Sequence, residues 1–353
     1  MKELKAFIVV VIVTGVIYWG VEPYAHSVMN PHVEPANFDF AAEDIGLAKV
    51  DVAKAEAALE TAKSRNNPEA IESAQKVLDS AKANLEKYSN FWADINSIDL
   101  AKGSAKTGEE LIAAAGCNAC HGIKSANMPA PMDDKTASES FGVAPPDLSD
   151  IGYLYDGKFL AALIKDPVLA LKLSHKFSDE QPFPMTPFMG AGGDLNQEIA
   201  DLVAYFKSIA PKEMSDRDVF VNACARCHDM KYTNIFANGN KQSIQTYLGT
   251  TPPDLSMYIR SRSVDYLNNF INDTQKMLPG TSMPRVGLNK EAQQQVMAYM
   301  NEAGDSKKAE RESIGIYIMI YFLILGGFAL LGKRKFGLNS IKNFAPKKGK
   351  IHS

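Results

Sequence analysis

The sequence contains little cysteine and little net charge. Only four of its 353 residues are cysteine, which excludes a small fold held together by disulfides. A formal net charge of −3 argues against a nucleic-acid-binding protein, and we expect no nucleic-acid partner. Wholesale disorder is also excluded, because 46% of the residues are hydrophobic and 22% are charged. The length favours two or three domains.

Two uncharged hydrophobic stretches flank the chain, at residues 6–21 and 314–331. We predict a transmembrane helix at each, with a cleaved signal peptide as the alternative for the first and a core helix for the second. Lys2 and Lys5 precede the first stretch, and seven Lys or Arg residues follow the second. By the positive-inside rule both termini then face the cytoplasm. The intervening residues 22–312 lie on the other side, with 29 Lys and Arg against 40 Asp and Glu. Such an acidic surface serves solubility or steers a basic partner.

Residues 41–90 carry a heptad pattern, interrupted at 66–68 by Asn-Asn-Pro. The seven-residue spacing of apolar side chains predicts two coiled-coil helices, joined by a turn short enough to make them antiparallel. Asn67 is placed to cap the second helix, with Pro68 at its first position. We interpret this hairpin as a rigid spacer, with a docking surface for another subunit as the alternative. The apolar positions are Ile45, Ala48, Val52, Ala55, Leu59 and Ala62, then Ile71, Ala74, Leu78, Ala81, Leu85 and Tyr88.

All four cysteines fall in two copies of the pattern C-x-x-C-H. The copies are Cys117, Cys120 and His121, and Cys224, Cys227 and His228. This pattern attaches haem c, because two thiols one helical turn apart reach two vinyl groups on one porphyrin edge and the adjacent imidazole ligates the iron. A zinc ribbon would place its cysteine pairs about 15–20 residues apart, far closer than the two motifs here, and a redox dithiol would need a βαβ context. We predict two covalently bound haem c groups.

The motifs begin an internal repeat. Each is followed by the sequence Pro-Pro-Asp-Leu-Ser, and the spacing from the first cysteine to the first proline is identical in both copies, from Cys117 to Pro145 and from Cys224 to Pro252. A proximal histidine needs a hydrogen bond to its second ring nitrogen. We predict that Pro146 and Pro253 supply the carbonyl groups for these bonds. The alternative is a turn that only precedes a helix. We expect one helix over residues 150–164 and another over 257–271 after these turns.

The sixth iron ligand is expected to be a methionine in the loop before the last helix of each repeat. In the second repeat the loop contains Met283, followed by Pro284. In the first repeat Met185 lies between two prolines, and we favour it over Met189 and over His175. An iron with both axial positions filled is closed to substrate. Because we also find no pairing of a nucleophile with a base, we expect no substrate-transforming site in this chain, and whether it is formally an enzyme depends on its complex.

Residues 100–304 resemble two tandem class I cytochrome c domains. The order of the Pro-Pro-Asp-Leu-Ser turn, the arginine-bearing helix at 258–262, the methionine loop and the C-terminal hydrophobic stretch resembles the cytochrome c subunit of the cytochrome bc complex, the ubiquinol–cytochrome c reductase, in its bacterial di-haem form. The resemblance implies a cytochrome b subunit and a Rieske iron–sulfur protein as partners. It also implies a location in the bacterial inner membrane with periplasmic haem domains, and a role in passing electrons from the Rieske protein to a soluble cytochrome c.

The predicted fold is all-α, with two cytochrome c-type domains between two transmembrane helices and an N-terminal antiparallel hairpin. The alternative function is a di-haem subunit of a membrane dehydrogenase or a haem–copper oxidase, and a di-haem peroxidase would need an open iron position. The predicted segments are an anchor at 1–24, a linker and hairpin at 25–98, a first repeat at 99–211, a second repeat at 212–304, an anchor at 305–335 and a basic cytoplasmic tail at 336–353.

Overall fold

The computed structural model describes residues 2–29, 33–178 and 180–343, so part of the predicted basic tail, 344–353, lies outside the described residues. The chain divides into two units, Met1–Gly304 and Asp305–Ser353. Within the described ranges the structure is helical and contains three isolated β-bridges but no β-strand. The helices are α1 Lys2–Val16, α2 Glu22–Met29, α3 Phe40–Ser64, α4 Pro68–Ser97, α5 Ala105–Ala114, α6 Asp134–Phe141, α7 Ile151–Leu154, α8 Gly157–Lys165, α9 Pro167–Ala170, α10 Leu195–Ile209, α11 Asp216–Cys224, α12 Lys241–Leu248, α13 Tyr258–Ser261, α14 Val264–Asn272, α15 Thr274–Met277, α16 Lys290–Gly304 and α17 Lys308–Asn343.

The first apolar helix is longer than the uncharged stretch. A π-helical turn at Ile17–Val21 joins α1 to α2 without a break, so the helix runs past Pro23. Proline lacks an N–H group and its ring clashes with the carbonyl one turn earlier, and the wider turn just before it accommodates both. The stretch Leu4–Met29 is long and apolar enough to cross a membrane, and so is Lys308–Arg334 within α17.

The hairpin is formed by α3 and α4. Asn67 accepts a hydrogen bond from the Ala70 N–H and Pro68 occupies the first turn, which confirms the predicted cap. All the heptad positions named above are buried or half-buried, whereas most of the intervening residues are exposed. At the end remote from the turn, the hairpin packs into the core of the first repeat. The buried aromatic residues there are Phe40, Tyr88, Phe91 and Trp92.

In the first repeat α5 crosses α10 at a very close approach. Gly108 is buried there, and a side chain at this position would meet the backbone of α10, because a Cβ atom would lie 2.1 Å from the carbonyl oxygen of Asp201. In the second repeat α11 packs against α16 in the corresponding positions, around Val219, Phe220 and Tyr299. Each repeat therefore pairs its first helix with its last, and the motif begins at the end of the first helix in the second repeat and three residues beyond it in the first.

The helices predicted over residues 150–164 and 257–271 are not continuous in the structure. Each is divided in two, into α7 and α8 in the first repeat and into α13 and α14 in the second. The chain is extended at Tyr155 and Arg262, and the side chain of the residue that follows, Asp156 or Ser263, caps the next helix. Tyr155 uses its extended backbone to form a β-bridge with Leu288 of the second repeat. The second repeat has the same break without such a bridge among its described residues, so the feature common to both breaks is the capping side chain.

Candidate functional site

The first motif follows a sharp reversal at the end of α5. Gly116 has a φ of 73°, a left-handed conformation that glycine adopts without steric cost. The chain then forms a single 3₁₀ turn, Cys117–Ala119, and the His121 N–H donates to the Cys117 carbonyl over 3.0 Å. This compact turn holds the two thiols and the imidazole on a short stretch of backbone. All four cysteines are free and half-buried.

The histidine of the first motif is oriented by the proline turn. Nδ1 of His121 lies 2.7 Å from the carbonyl oxygen of Pro146. The backbone beside it is tied as well, since the Leu148 N–H donates to the Gly122 carbonyl over 2.8 Å. A ring whose Nδ1 is engaged in this way leaves Nε2 as the ligand atom.

The second motif has the same arrangement. Nδ1 of His228 lies 2.8 Å from the carbonyl oxygen of Pro253, and the Leu255 N–H donates to the Asp229 carbonyl over 2.9 Å. The His228 N–H donates to the Cys224 carbonyl over 2.9 Å. Each of these contacts repeats one from the first motif, between residues at equivalent positions.

The repetition extends well beyond the histidines. The bridge between Ile123 and Met128 recurs between Met230 and Ile235, and the left-handed residue Asn127 recurs as Asn234, with a φ of 55° in both. Four helices of the second repeat, α12 to α15, begin at the same distance from their motif as their counterparts α6 to α9 begin from the first. The two copies therefore share one backbone plan from the motif to α9 and α15.

The imidazoles are held in the uncharged state. Burial lowers the pKa of His121, opposed by its hydrogen bond to Pro146, and the nearby positive charge of Arg226 lowers it further. Burial likewise lowers the pKa of His228. Neutral imidazole is the form that ligates iron. Burial also raises the pKa of the Cys224 thiol to about 12.

The donor set fits haem c and does not fit zinc. Each site offers two thiols and one imidazole within one C-x-x-C-H motif, with the imidazole already hydrogen-bonded through Nδ1. Across residues 2–29, 33–178 and 180–343, no three His, Cys, Asp or Glu side chains meet as a zinc site requires.

The loops expected to hold the sixth ligand differ between the repeats. In the first repeat the long loop 171–194 separates α9 from α10, whereas in the second the shorter loop 278–289 separates α15 from α16. The side chain of Met185 is 39% exposed and that of Met189 is 84% exposed. Met283 is half-buried, and its carbonyl accepts a hydrogen bond from Thr274 Oγ1 over 3.0 Å. Nε2 of His175 lies 3.1 Å from the Thr281 carbonyl, beside the loop of the second repeat.

Two contacts near the candidate sites were not predicted from the sequence. Arg226, inside the second motif, reaches the first repeat, where its Nε donates to the Ala144 carbonyl over 2.9 Å. Arg285, two residues after Met283, is fully buried and paired with Asp44 of the hairpin. Neither carries a local signal, because the partners are 82 and 241 residues away in the sequence.

The first repeat is similar to a known protein family. Residues 105–210 match the family model described as Cytochrome c. They form a cytochrome c domain, a class that binds haem c covalently and transfers electrons, and they fall within the predicted segment 99–211. No curated protein and no solved structure matches the chain.

Proposed function

We propose that this chain is a membrane-anchored di-haem c-type cytochrome, which passes electrons from the Rieske protein of a quinol–cytochrome c reductase to a soluble cytochrome c. The observation that carries the proposal is the pair of matching contacts between the motif histidines and the proline carbonyls, 2.7 Å for His121 and 2.8 Å for His228. The first of these contacts belongs to the cytochrome c domain at 105–210. Its recurrence in the second repeat supports a second haem there.

The roles of the individual residues follow from that plan. When bound, haem c supplies one-electron redox chemistry. Cys117 and Cys120 would hold one group and Cys224 and Cys227 the other, while His121 and His228 would be proximal ligands oriented by the Pro146 and Pro253 carbonyls. Met283 would complete the second site. In the first site the lower exposure of Met185 supports it over Met189, and the position of His175 beside the second loop removes the reason to prefer it.

Close contact between the repeats supports electron passage from one site to the other. The motif residue Arg226 touches Ala144, which precedes the proline turn of the first repeat. Helices α6 and α12 also meet, where the Asn240 N–H donates to Ser138 Oγ over 2.7 Å and the Tyr247 ring packs on Gly142. Contacts of this kind support a short transfer distance between the two proposed haems.

The membrane helices and the family resemblance support the proposed setting. Two helices long and apolar enough to span a bilayer lie at opposite ends of the sequence, and Lys residues are concentrated beyond the second. With both termini in the cytoplasm, both motifs would lie in the periplasm of a bacterial inner membrane. There they would meet the Rieske protein, the cytochrome b subunit and a soluble cytochrome c.

Affinity purification of the full chain tests this function. Membranes from cells with the tagged chain are solubilised in a mild detergent, and membranes with the untagged chain serve as the control. We expect a haem-b polypeptide and an iron–sulfur protein to co-purify, and quinol to reduce the c-type haems of the purified complex. Recovery of haem–copper oxidase or dehydrogenase subunits in their place would contradict the proposal and favour the alternative.

A further inference from the structure

A buried ion-pair network joins the hairpin to the loop that contains Met283. The Arg285 side chain is 0% exposed, and its two terminal nitrogens donate to both carboxylate oxygens of Asp44. Nη2 also donates to Asp273 over 2.9 Å. Lys172 balances the charge, since its Nζ lies 2.8 Å from Asp273 and 3.3 Å from Asp44. Two bases thus face two acids inside the protein.

The network ties together three parts of the chain. Asp44 belongs to α3 of the hairpin and also accepts a hydrogen bond from Trp92 of α4 over 2.9 Å. Lys172 belongs to the first repeat, whereas Asp273 and Arg285 belong to the second. Burial opposes the charge on Arg285, but the carboxylates of Asp44 and Asp273 outweigh it and raise the pKa of the guanidinium. The guanidinium therefore stays charged, and its own titration does not disturb the pairing.

A buried ion pair contributes little net stability but fixes geometry, and a bidentate arginine–carboxylate pair fixes it in orientation as well. The geometry fixed here is that of a short segment. The Arg285 side chain is held by Asp44, its N–H donates to the Leu171 carbonyl over 3.1 Å, and the Met283 carbonyl is held by Thr274. Met283 and Pro284 are thus constrained on both sides.

We propose that the hairpin, through Asp44 and Arg285, positions Met283 as the axial ligand of the second haem. This inference rests on the proposed function, because it requires a haem at the second motif. It assigns the hairpin a task beyond that of a spacer. Asp44 and Arg285 are positioning residues, since the proposal places neither in contact with the iron. The first repeat offers the contrast, because its candidate Met185 is followed by Thr186 and Pro187 and has no arginine at the corresponding place.

The test measures the near-infrared charge-transfer absorbance of methionine-ligated ferric haem in the full holoprotein. Met283→Leu should remove about half of the wild-type absorbance, as one of two haems loses its ligand. Asp44→Asn keeps the shape of the side chain but removes its charge. It should also lower this absorbance. It should also raise the affinity for exogenous imidazole several-fold at the second haem alone. Asp94→Asn is the matched control, because Asp94 pairs the same hairpin with Lys165 of the first repeat over 2.7 Å.

Trp92→Phe keeps the test decisive if the Asp44 variant fails to fold. It removes the hydrogen bond to Asp44 together with part of the buried indole ring, but it leaves both charges of the pair in place, so we expect a smaller gain in imidazole affinity at the second haem. If Met283→Leu halves the absorbance but neither Asp44→Asn nor Trp92→Phe changes the absorbance or the imidazole affinity, the positioning role is overturned and the proposed function stands. If the wild type carries fewer than two covalent haems, both are overturned.

Discussion

The two repeats are alike around their C-x-x-C-H motifs and unlike in the loops expected to supply the sixth ligand. From the motif to α9 and α15 the same contacts recur at equivalent positions. Beyond that point the first repeat has the long loop 171–194, while the second has the shorter loop 278–289, which is tied to the hairpin. Attachment tolerates little variation because two thiols and one imidazole must meet one rigid porphyrin. The loop that follows is free to vary, and through it the two proposed haems would differ.

The repeats also differ in charge. Residues 99–211 contain nine Lys and Arg against 15 Asp and Glu, whereas residues 212–304 contain ten against nine. The acidity of the body therefore lies more in the first repeat than in the second. Residues 22–98 are as acidic as the first repeat, with seven Lys and Arg against 13 Asp and Glu, so a basic redox partner would be steered toward the hairpin and the first repeat rather than the second.

The largest expected effect comes from changing the ligand of the second site. Met283→His should lower the potential of the second haem by on the order of 0.1 V or more, because imidazole donates more strongly than a thioether to ferric iron. The first haem should keep its potential. A spectroelectrochemical titration of the full chain measures both, and a shift in the first haem instead would reverse the assignment of the loops.

A second pair of variants examines the longer loop. Met185→Leu should abolish the methionine–iron charge-transfer signal of the first haem, and Met189→Leu should leave it intact, because the Met189 side chain is the more exposed of the two. Absorption spectra of the two purified variants make the comparison directly. The opposite result would identify Met189 as the ligand.

The features that the sequence predicts correctly depend on residues that lie close together along the chain. The cap at Asn67, the motifs and the spacing to the proline turns all involve residues close together in the sequence, and their spacing constrains the geometry. The link between Asp44 and Arg285 spans 241 positions, and only the packing of the hairpin on both repeats brings them together. The breaks between α7 and α8 and between α13 and α14 do carry a local signal, because Asp156 and Ser263 are capping residues, and this signal was missed.

The charge difference predicts a salt-dependent reaction. The second-order rate of electron transfer to a soluble cytochrome c with a lysine-rich face should fall steeply as salt rises from about 10 to 200 mM, because the Debye length shrinks from about 30 Å to below 8 Å. Stopped-flow kinetics on the intact complex measure this rate. A rate that is flat over the range would leave the acidic surface without a docking role.

Replacing exposed glutamates in one repeat at a time shows which repeat carries the charge that steers the partner. Glu109 and Glu110 are exposed on α5 of the first repeat, and Glu291 and Glu302 are exposed on α16 of the second. Replacing the first pair by glutamine should slow the reaction at low salt more than replacing the second pair. Equal effects would show that the docking surface is not confined to the first repeat.

The smallest expected effect is that of a residue in the second repeat on the potential of the first haem. Arg226 lies in the second motif, but its charge acts on His121 of the first. Arg226→Gln should therefore lower the potential of the first haem, since a nearby positive charge favours the reduced state, by on the order of tens of millivolts at an effective dielectric constant near 20. The same redox titration measures this shift. An unchanged potential of the first haem would contradict an effect of Arg226 across the repeats.

The central claim is that one chain carries two haem groups in two equivalent sites. Mass spectrometry of the denatured full chain, together with a pyridine haemochrome assay, counts the covalent haems directly. We predict the mass of the chain plus two haems, and plus one haem when either Cys117 and Cys120 or Cys224 and Cys227 are replaced by serine. One haem on the wild-type chain, lost only when the first pair is replaced, would contradict the account.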